Sequence, residues 1–159
     1  MGNVIVVGNA PISNRGSLID TYDIVVRLNH LKFPSYRKDC GTKIDIWAMR
    51  DYTLYPFMRN IHQLRIKELW MFNDSNGNMG PFNSTIGDQK GASTGYLAAM
   101  QAVKEFGSCD AIGFNFFTSK KPHFYDKKDS LLAMGNHDPV TEKKLMDDNP
   151  FINMIYEDE

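Results

Sequence analysis

The chain's 159 residues fit one domain, and its 42% hydrophobic and 23% charged content is that of an ordinary globular protein. A formal net charge of −1 leaves no basic stripe of the kind that marks a nucleic-acid partner, and no run of about 18 apolar residues predicts a membrane span. The first strand begins almost at Met1, so no leader is expected, and Cys40 and Cys109 stand in neither a metal-binding nor a redox spacing. The expectation is a soluble, cytoplasmic, single domain over residues 1–159 with no resident metal or cofactor.

The chain is organised around Asn3 to His30. Val4 to Val7 is β-branched throughout and breaks at Gly8-Asn9-Ala10-Pro11. A polar segment with one apolar patch, Leu18-Ile19, leads to a second apolar run, Ile24-Val25-Val26, which ends in Arg27-Leu28-Asn29. Continuous apolar runs without alternation read as parallel strands buried on both faces of an α/β domain. In open parallel sheets the ligand sits beyond the carboxyl ends of the strands. Asn9 and Asn29 each stand just past such an end, and their amides can donate and accept, which suits a neutral polar ligand such as a base or ribose.

Leu31 to Gly41 reads as a basic loop broken by Pro34, Lys43 to Ala48 as a third strand, and Asp51 to Pro56 as an aromatic turn. Phe57 to Arg65 reads as a short helix and Glu68 to Phe72 as a fourth strand. Asn73 to Gly91, rich in Asn, Gly, Ser and Asp, reads as a long irregular loop, and loops of that length are usually mobile or functional. Ser93 then caps a helix over Thr94 to Phe106. Leu97, Met100, Val103 and Phe106 recur at intervals of three, Ala98, Ala99 and Ala102 permit close packing on a sheet, and Gly107 ends the helix. Ala111 to Phe117 reads as a fifth strand, and Pro139 opens a last helix with Asp138 as its cap. This succession predicts a doubly wound, mostly parallel, Rossmann-like sheet.

Several groups carry possible chemistry. Gly8-Asn9 follows a strand, as a nucleotide-binding turn should, but lacks the spacing of a dinucleotide fold or a P-loop; a tight turn that needs Gly explains it equally. Ser93-Thr94-Gly95 opens a helix, where free N–H groups and the dipole favour an anion and Gly95 admits a ligand close to the backbone; a plain N-cap also explains Ser93. His137 precedes a helix start whose dipole disfavours the imidazolium, and a neutral ring can act as general base toward a hydroxyl. Glu142 lies in the first turns of that helix, placed either to hold the ring's other nitrogen or only to favour the helix start. His123, in the segment Pro122-His123-Phe124-Tyr125-Asp126, is either a donor to phosphate or a solvated side chain.

Taken together, these stretches resemble the four sialylmotifs of the eukaryotic-type sialyltransferases, glycosyltransferase family 29. The large motif corresponds to Val6-Val7-Gly8-Asn9, Gly16, Asp20 and Val26-Arg27-Leu28-Asn29, and the small motif to Ser93-Thr94-Gly95 with Gly113-Phe114. The third motif is His123-Phe124-Tyr125-Asp126, and the very small motif is His137 with Glu142. The resemblance covers Val4 to about Leu145, with the middle third poorly matched.

It implies a variant GT-A-like fold and a CMP-sialic acid donor used without a metal. Gly8, Asn9 and Asn29 would meet the cytidine nucleotide, and Ser93, Thr94 and Gly95 would line its ribose and base side. His123 would bind the phosphate, His137 would deprotonate a hydroxyl of a glycan or small-molecule acceptor, and Tyr125 and Glu142 would support them. Two departures stand out. The motif positions that the family joins by a disulfide are Val4 and Phe106 here, which fits a core packed in a reducing compartment. The chain is also short between the large and small motifs, where family members build part of the acceptor site. Two alternatives therefore stay open: a hydrolase that cleaves a CMP-linked substrate with water, and a non-catalytic cytidine-nucleotide-binding module.

Overall fold

The protein's computed structural model describes residues 2–50, 64–72, 78–79, 82–83, 85–86, 90–116, 118, 123 and 138–157. Six strands form one sheet: β1 (Val4–Val7), β2 (Ile24–Leu28), β3 (Ile46–Arg50), β4 (Glu68–Phe72), β5 (Cys109–Ile112) and β6 (Ile152–Ile155). Their spatial order is β6-β5-β1-β2-β3-β4, and every neighbouring pair is parallel. β1 lies at the centre, with Val6 opposite Val26 on one side and Ala111 on the other.

Because both faces of the sheet are covered, β1 is apolar at every position and β2 at all but Arg27, and successive residues feed two separate cores. Val4, Val6, Val26, Leu28, Ile46 and Ala48 face α3 (Thr94–Phe106) and α4 (Pro139–Asp147). The fully buried Leu97, Ala98, Ala99 and Ala102 of α3 fill that layer, joined by Met146 of α4. On the opposite face Ile5, Val7, Val25, Trp47, Met49 and Ile112 pack against Ile19 of α1 (Gly16–Ile19), Phe33 of the 3₁₀ turn Phe33–Tyr36, and Cys40 of α2 (Arg37–Cys40). The three alanines explain how α3 lies close enough to the sheet to cross several strands.

A charged side chain sits inside the second core. Arg27 of β2 is 3% exposed; its Nε donates to the Lys43 carbonyl at 2.8 Å and its Nη2 to the Cys40 carbonyl at 2.6 Å. The guanidinium also lies 4.0 Å over the Phe33 ring. Burial lowers its pKa to about 10, against the opposing pull of Cys40 and Asp20, so it stays charged at neutral pH. Asp20 grips the same segment from outside, accepting from the Thr42 and Lys43 N–H groups at 2.8 Å each and from the Thr42 hydroxyl. Together the two residues fasten 33–43 onto the sheet.

Several boundaries differ from those read in the sequence. β3 begins at Ile46 rather than Lys43; just before it the Asp45 N–H donates to the Val25 carbonyl at 2.9 Å and the Asp45 carboxylate accepts from the Val25 N–H at 3.0 Å. β5 covers Cys109–Ile112 and stops where Gly113 turns to φ +76°, well before Phe117. β6 escaped the sequence reading altogether, and the basic loop contains the short α2. Within the expected irregular loop, Asn78–Met79 pairs with Phe82–Asn83 and Thr85–Ile86 with Lys90–Gly91, both antiparallel. The helix expected at Phe57 to Arg65 lies almost wholly outside the described residues.

Candidate functional site

The strand order reverses direction at β1: β2, β3 and β4 follow on one side, β5 and β6 on the other. A doubly wound sheet binds its ligand at such a switch point, outside the carboxyl ends of the strands. Here that crevice is framed by Gly8-Asn9-Ala10 after β1 and Gly113-Phe114 after β5. The Gly8 N–H donates to the Ile112 carbonyl at 2.8 Å and the Ala10 N–H to the Gly113 carbonyl at 3.0 Å, so the two chain exits run side by side. A Cβ on Gly8 would lie 2.2 Å from the Gly113 oxygen. The glycine expected at a tight turn is thus required by the approach of a neighbouring backbone.

Asn9 and Asn29 stand on adjacent strand ends and are linked through β2: the Asn9 amide donates to the Leu28 carbonyl at 3.1 Å. Asn29 is held from β3, its N–H donating to the Ala48 carbonyl at 2.9 Å and its carbonyl accepting from the Trp47 indole at 2.8 Å. It sits at φ 45°, a left-handed conformation that Asn tolerates better than most residues. Its side-chain Oδ1 is buried and has no hydrogen-bond partner among the described residues. Buried acceptors are nearly always satisfied, so one left over asks for an explanation, and a ligand that donates a hydrogen bond is one.

Ser93 does cap α3: its Oγ accepts from the Tyr96 N–H at 3.2 Å. It is also bound across the fold by Glu142, whose two carboxylate oxygens accept from the Ser93 N–H and Oγ–H at 2.6 Å each. Glu142 is 3% exposed. Burial, then the Glu142 charge, raises the pKa of Tyr96. Thr94 and Gly95 are buried beside them, and a Cβ on Gly95 would lie 2.6 Å from the Phe114 ring. The first turn of α3 therefore packs directly on the residue that follows β5.

His123 is close enough to His30, the residue after Asn29, for their charges to interact. Partial burial, then the charges of Lys32 and His123, lowers the pKa of His30. The sequence reading passed over His30, although it directly follows the Arg27-Leu28-Asn29 run. His137 and Tyr125 lie outside the described residues.

A cavity of about 580 Å³ opens at the switch point, walled by Ala10 and Pro11 after β1, Phe114 and Phe116 after β5, and Lys143 and Tyr156. The Phe114 and Phe116 rings are tilted with centroids 6.2 Å apart, and the Lys143 ammonium lies 4.7 Å over Tyr156 and 5.9 Å from Phe116. On sequence Phe114 and Phe116 fell in an expected strand, Phe114 also in the small motif, and Tyr156 was passed over, since nothing in their spacing distinguishes a wall from a core. Among the described residues, no group of three or more His, Cys, Asp and Glu side chains could hold a metal ion, and no helix is long and apolar enough to cross a membrane.

Comparison with known proteins bears on this geometry. Residues 3–68 match the family model of glycosyltransferase family 29 (sialyltransferase). Over those residues the chain is similar to the sialyltransferase family. The match takes in Gly8, Asn9, Asp20, Arg27 and Asn29. Among solved structures, the crystal structure of a mammalian sialyltransferase superposes with a TM-score of 0.65 at 18% identity, covering 97% of this chain and 68% of that one. A mammalian sialyltransferase in complex with Gal-beta-1-3GalNAc-ortho-nitrophenol gives 0.64 at 18% identity, covering 96% and 68%. The six-stranded parallel sheet with flanking helices is therefore a sialyltransferase-type, GT-A-like fold. A comparison with curated protein sequences gave no match.

Proposed function

We propose that the protein is a CMP-sugar-dependent glycosyltransferase of sialyltransferase type, passing a sialic-acid-like sugar from its CMP donor to an acceptor hydroxyl without a metal. The observation that carries the reading is the unpaired, buried Oδ1 of Asn29, beside Asn9 on the strand ends next to the switch point, within the stretch that matches the family. Two amides in that position suit a ribose hydroxyl or a base edge. The neighbouring aromatic-walled cavity has the size and character for a pyrimidine and its ribose, and Gly95 packs against the ring of Phe114, one of its walls.

In this mechanism His137 takes the proton of the acceptor hydroxyl as that oxygen attacks the anomeric carbon. The bond from that carbon to the phosphate oxygen breaks, and its electron pair leaves with CMP. Cationic groups near the departing oxygen stabilise the transition state more than the ground state, because negative charge grows there as the bond opens. In this reading His123, beside His30 beyond β2, would donate a hydrogen bond to that oxygen.

The test is incubation with CMP-sialic acid and a panel of acceptors, read by mass of the product, with His137→Ala alongside. A glycosylated product lost in His137→Ala, with CMP binding kept, is the expected result. CMP released without acceptor, and abolished in His137→Ala, replaces the transferase by the hydrolase. CMP binding without turnover in either reaction leaves a binding module.

A further inference from the structure

We infer that Lys143 is a specificity-determining residue: its ammonium, held at the wall of the switch-point cavity by Asp147 and Tyr156, donates to the ring of a bound cytosine and sets the preference for it over uracil. The inference rests on the nucleotide reading above and deepens it by naming what tells one pyrimidine from the other.

Lys143 lies in α4 and Tyr156 directly follows β6, so the two reach the cavity from different elements. The Lys143 Nζ donates to Asp147 Oδ2 at 2.5 Å and to the Tyr156 hydroxyl at 3.1 Å; that hydroxyl in turn donates to Asp147 Oδ1 at 2.5 Å. The three groups close a ring of hydrogen bonds that fixes the ammonium. Those bonds, to Asp147 first and Tyr156 second, raise the lysine's pKa above its ordinary value, so it stays charged. A lysine has three N–H donors, and among the described residues two of them are engaged. The ammonium stands 4.7 Å from the centre of the Tyr156 ring and 5.9 Å from that of Phe116, both of them cavity walls. The third donor is left for whatever occupies the space between those walls.

The wall that carries Tyr156 is itself fastened. Glu157 accepts from the Arg15 Nε at 3.2 Å and from the Ser13 N–H at 3.4 Å, which ties the end of β6 to the chain leaving β1 past Ala10 and Pro11. The donor is therefore presented from a fixed position.

Charge decides what that donor meets. Asp147 cancels the charge of Lys143 at contact distance, so the pair offers a directed hydrogen bond rather than a net positive field. A phosphate or carboxylate gains little there, because it would approach the Asp147 carboxylate as well. An uncharged ring between aromatic walls has no such penalty. Cytosine carries two adjacent acceptors, N3 and O2, on its edge. Uracil has an N–H donor in place of N3, and an ammonium repels it. Because 45% of the Lys143 side chain is exposed, water competes for the bond, and the preference is about tenfold rather than the far larger ratios of sealed pockets.

Calorimetry with CMP and UMP on the wild type, Lys143→Met, Lys143→Gln and Tyr156→Phe tests this. The wild type should bind CMP about tenfold tighter than UMP. Lys143→Met keeps the apolar stem over the rings and loses the donor, so CMP should weaken about tenfold and UMP less than about threefold, and the preference disappears. Tyr156→Phe keeps the ring but removes one of the ammonium's two anchors, and its preference should fall between those of the wild type and Lys143→Met. Equal weakening of CMP and UMP in Lys143→Met, or a preference that this variant retains, overturns the inference, as does a wild type without preference. Should Lys143→Met not fold, Lys143→Gln is read in its place, since an amide can face either base and should also abolish the preference. A Tyr156→Phe preference equal to the wild type's removes Tyr156 from the account. A wild type that binds neither nucleotide refutes the nucleotide reading itself.

Discussion

Asn29 combines a left-handed backbone, which a turn residue can have, with a buried acceptor that has no partner among the described residues, which a turn does not need. Asn29→Gly removes the side chain while allowing φ 45°, so it separates the two. The variant is expected to keep its stability within about 0.5 kcal/mol, since it also removes the unsatisfied group, yet to lose about 1–3 kcal/mol of CMP affinity. Denaturant unfolding and calorimetry with CMP read the two effects; loss of stability with unchanged affinity would make Asn29 a turn residue only. His30 gives a pH signature at the same scale. Its folded pKa lies below the ordinary 6.5, by burial first and by Lys32 and His123 second. The unfolded chain therefore takes the proton first, so His30 costs no stability well above pH 6.5 and destabilises the fold increasingly as pH falls below it. A bound phosphate reverses the sign of its surroundings, so CMP binding near pH 6 should take up protons and His30→Gln should reduce that uptake. Calorimetry in two buffers of different ionisation enthalpy measures it, and equal uptake in both proteins would place the phosphate elsewhere.

At the scale of elements, much was readable because periodicity and burial are directly coupled. The apolar runs of β1 and β2 mark strands covered on both faces, and the capped, alanine-lined stretch from Ser93 to Gly107 is the helix it looks like. The helix start at Pro139 with Asp138 as its cap was equally plain, the Asp138 carboxylate accepting from the Thr141 N–H at 3.2 Å. β6 was not readable: its sequence, Ile-Asn-Met-Ile, alternates weakly, and only its pairing with β5 defines it. The family motif also hid a division of labour. Asp20 and Arg27 are part of the motif on sequence, with no role read for either; in the fold both anchor residues 40–43 through backbone groups there. Arg27→Leu keeps the bulk and leaves the Cys40 and Lys43 carbonyls without their donor. The expected cost is about 2–4 kcal/mol of stability, measured by urea unfolding, with the protein still able to bind CMP when folded. A loss below about 0.5 kcal/mol would mean that water replaces the guanidinium.

On the scale of the whole molecule, the crossover from β4 through α3 to β5 brings together residues far apart in sequence, and no local pattern carries that information. Glu142 meeting Ser93 is one such pair; Val4 and Phe106 are another. These two hold the positions that the family resemblance assigns to a disulfide, and here they belong to one apolar layer and border the same cavity at the amino end of β1. Phe106 adds a stacked contact with Trp70, ring centroids 6.3 Å apart. The cysteines the chain does possess are buried on opposite faces of the sheet, their thiols pushed up to about 11 for Cys40 and about 12 for Cys109 by burial, so neither is poised to pair. Packing has thus taken over the task that a covalent link would perform. The Val4→Cys, Phe106→Cys double variant tests whether the geometry for that link persists. Closing a loop of roughly 100 residues stabilises by up to about 4–5 kcal/mol through the unfolded chain, against about 3–5 kcal/mol lost with the two apolar side chains. The oxidised variant should therefore unfold near the wild-type midpoint and the reduced one several degrees lower, the gap vanishing on addition of a thiol reductant. Failure of the pair to oxidise in the folded protein would mean that β1 and the end of α3 have moved apart in this chain, and that its core is no longer compatible with the disulfide.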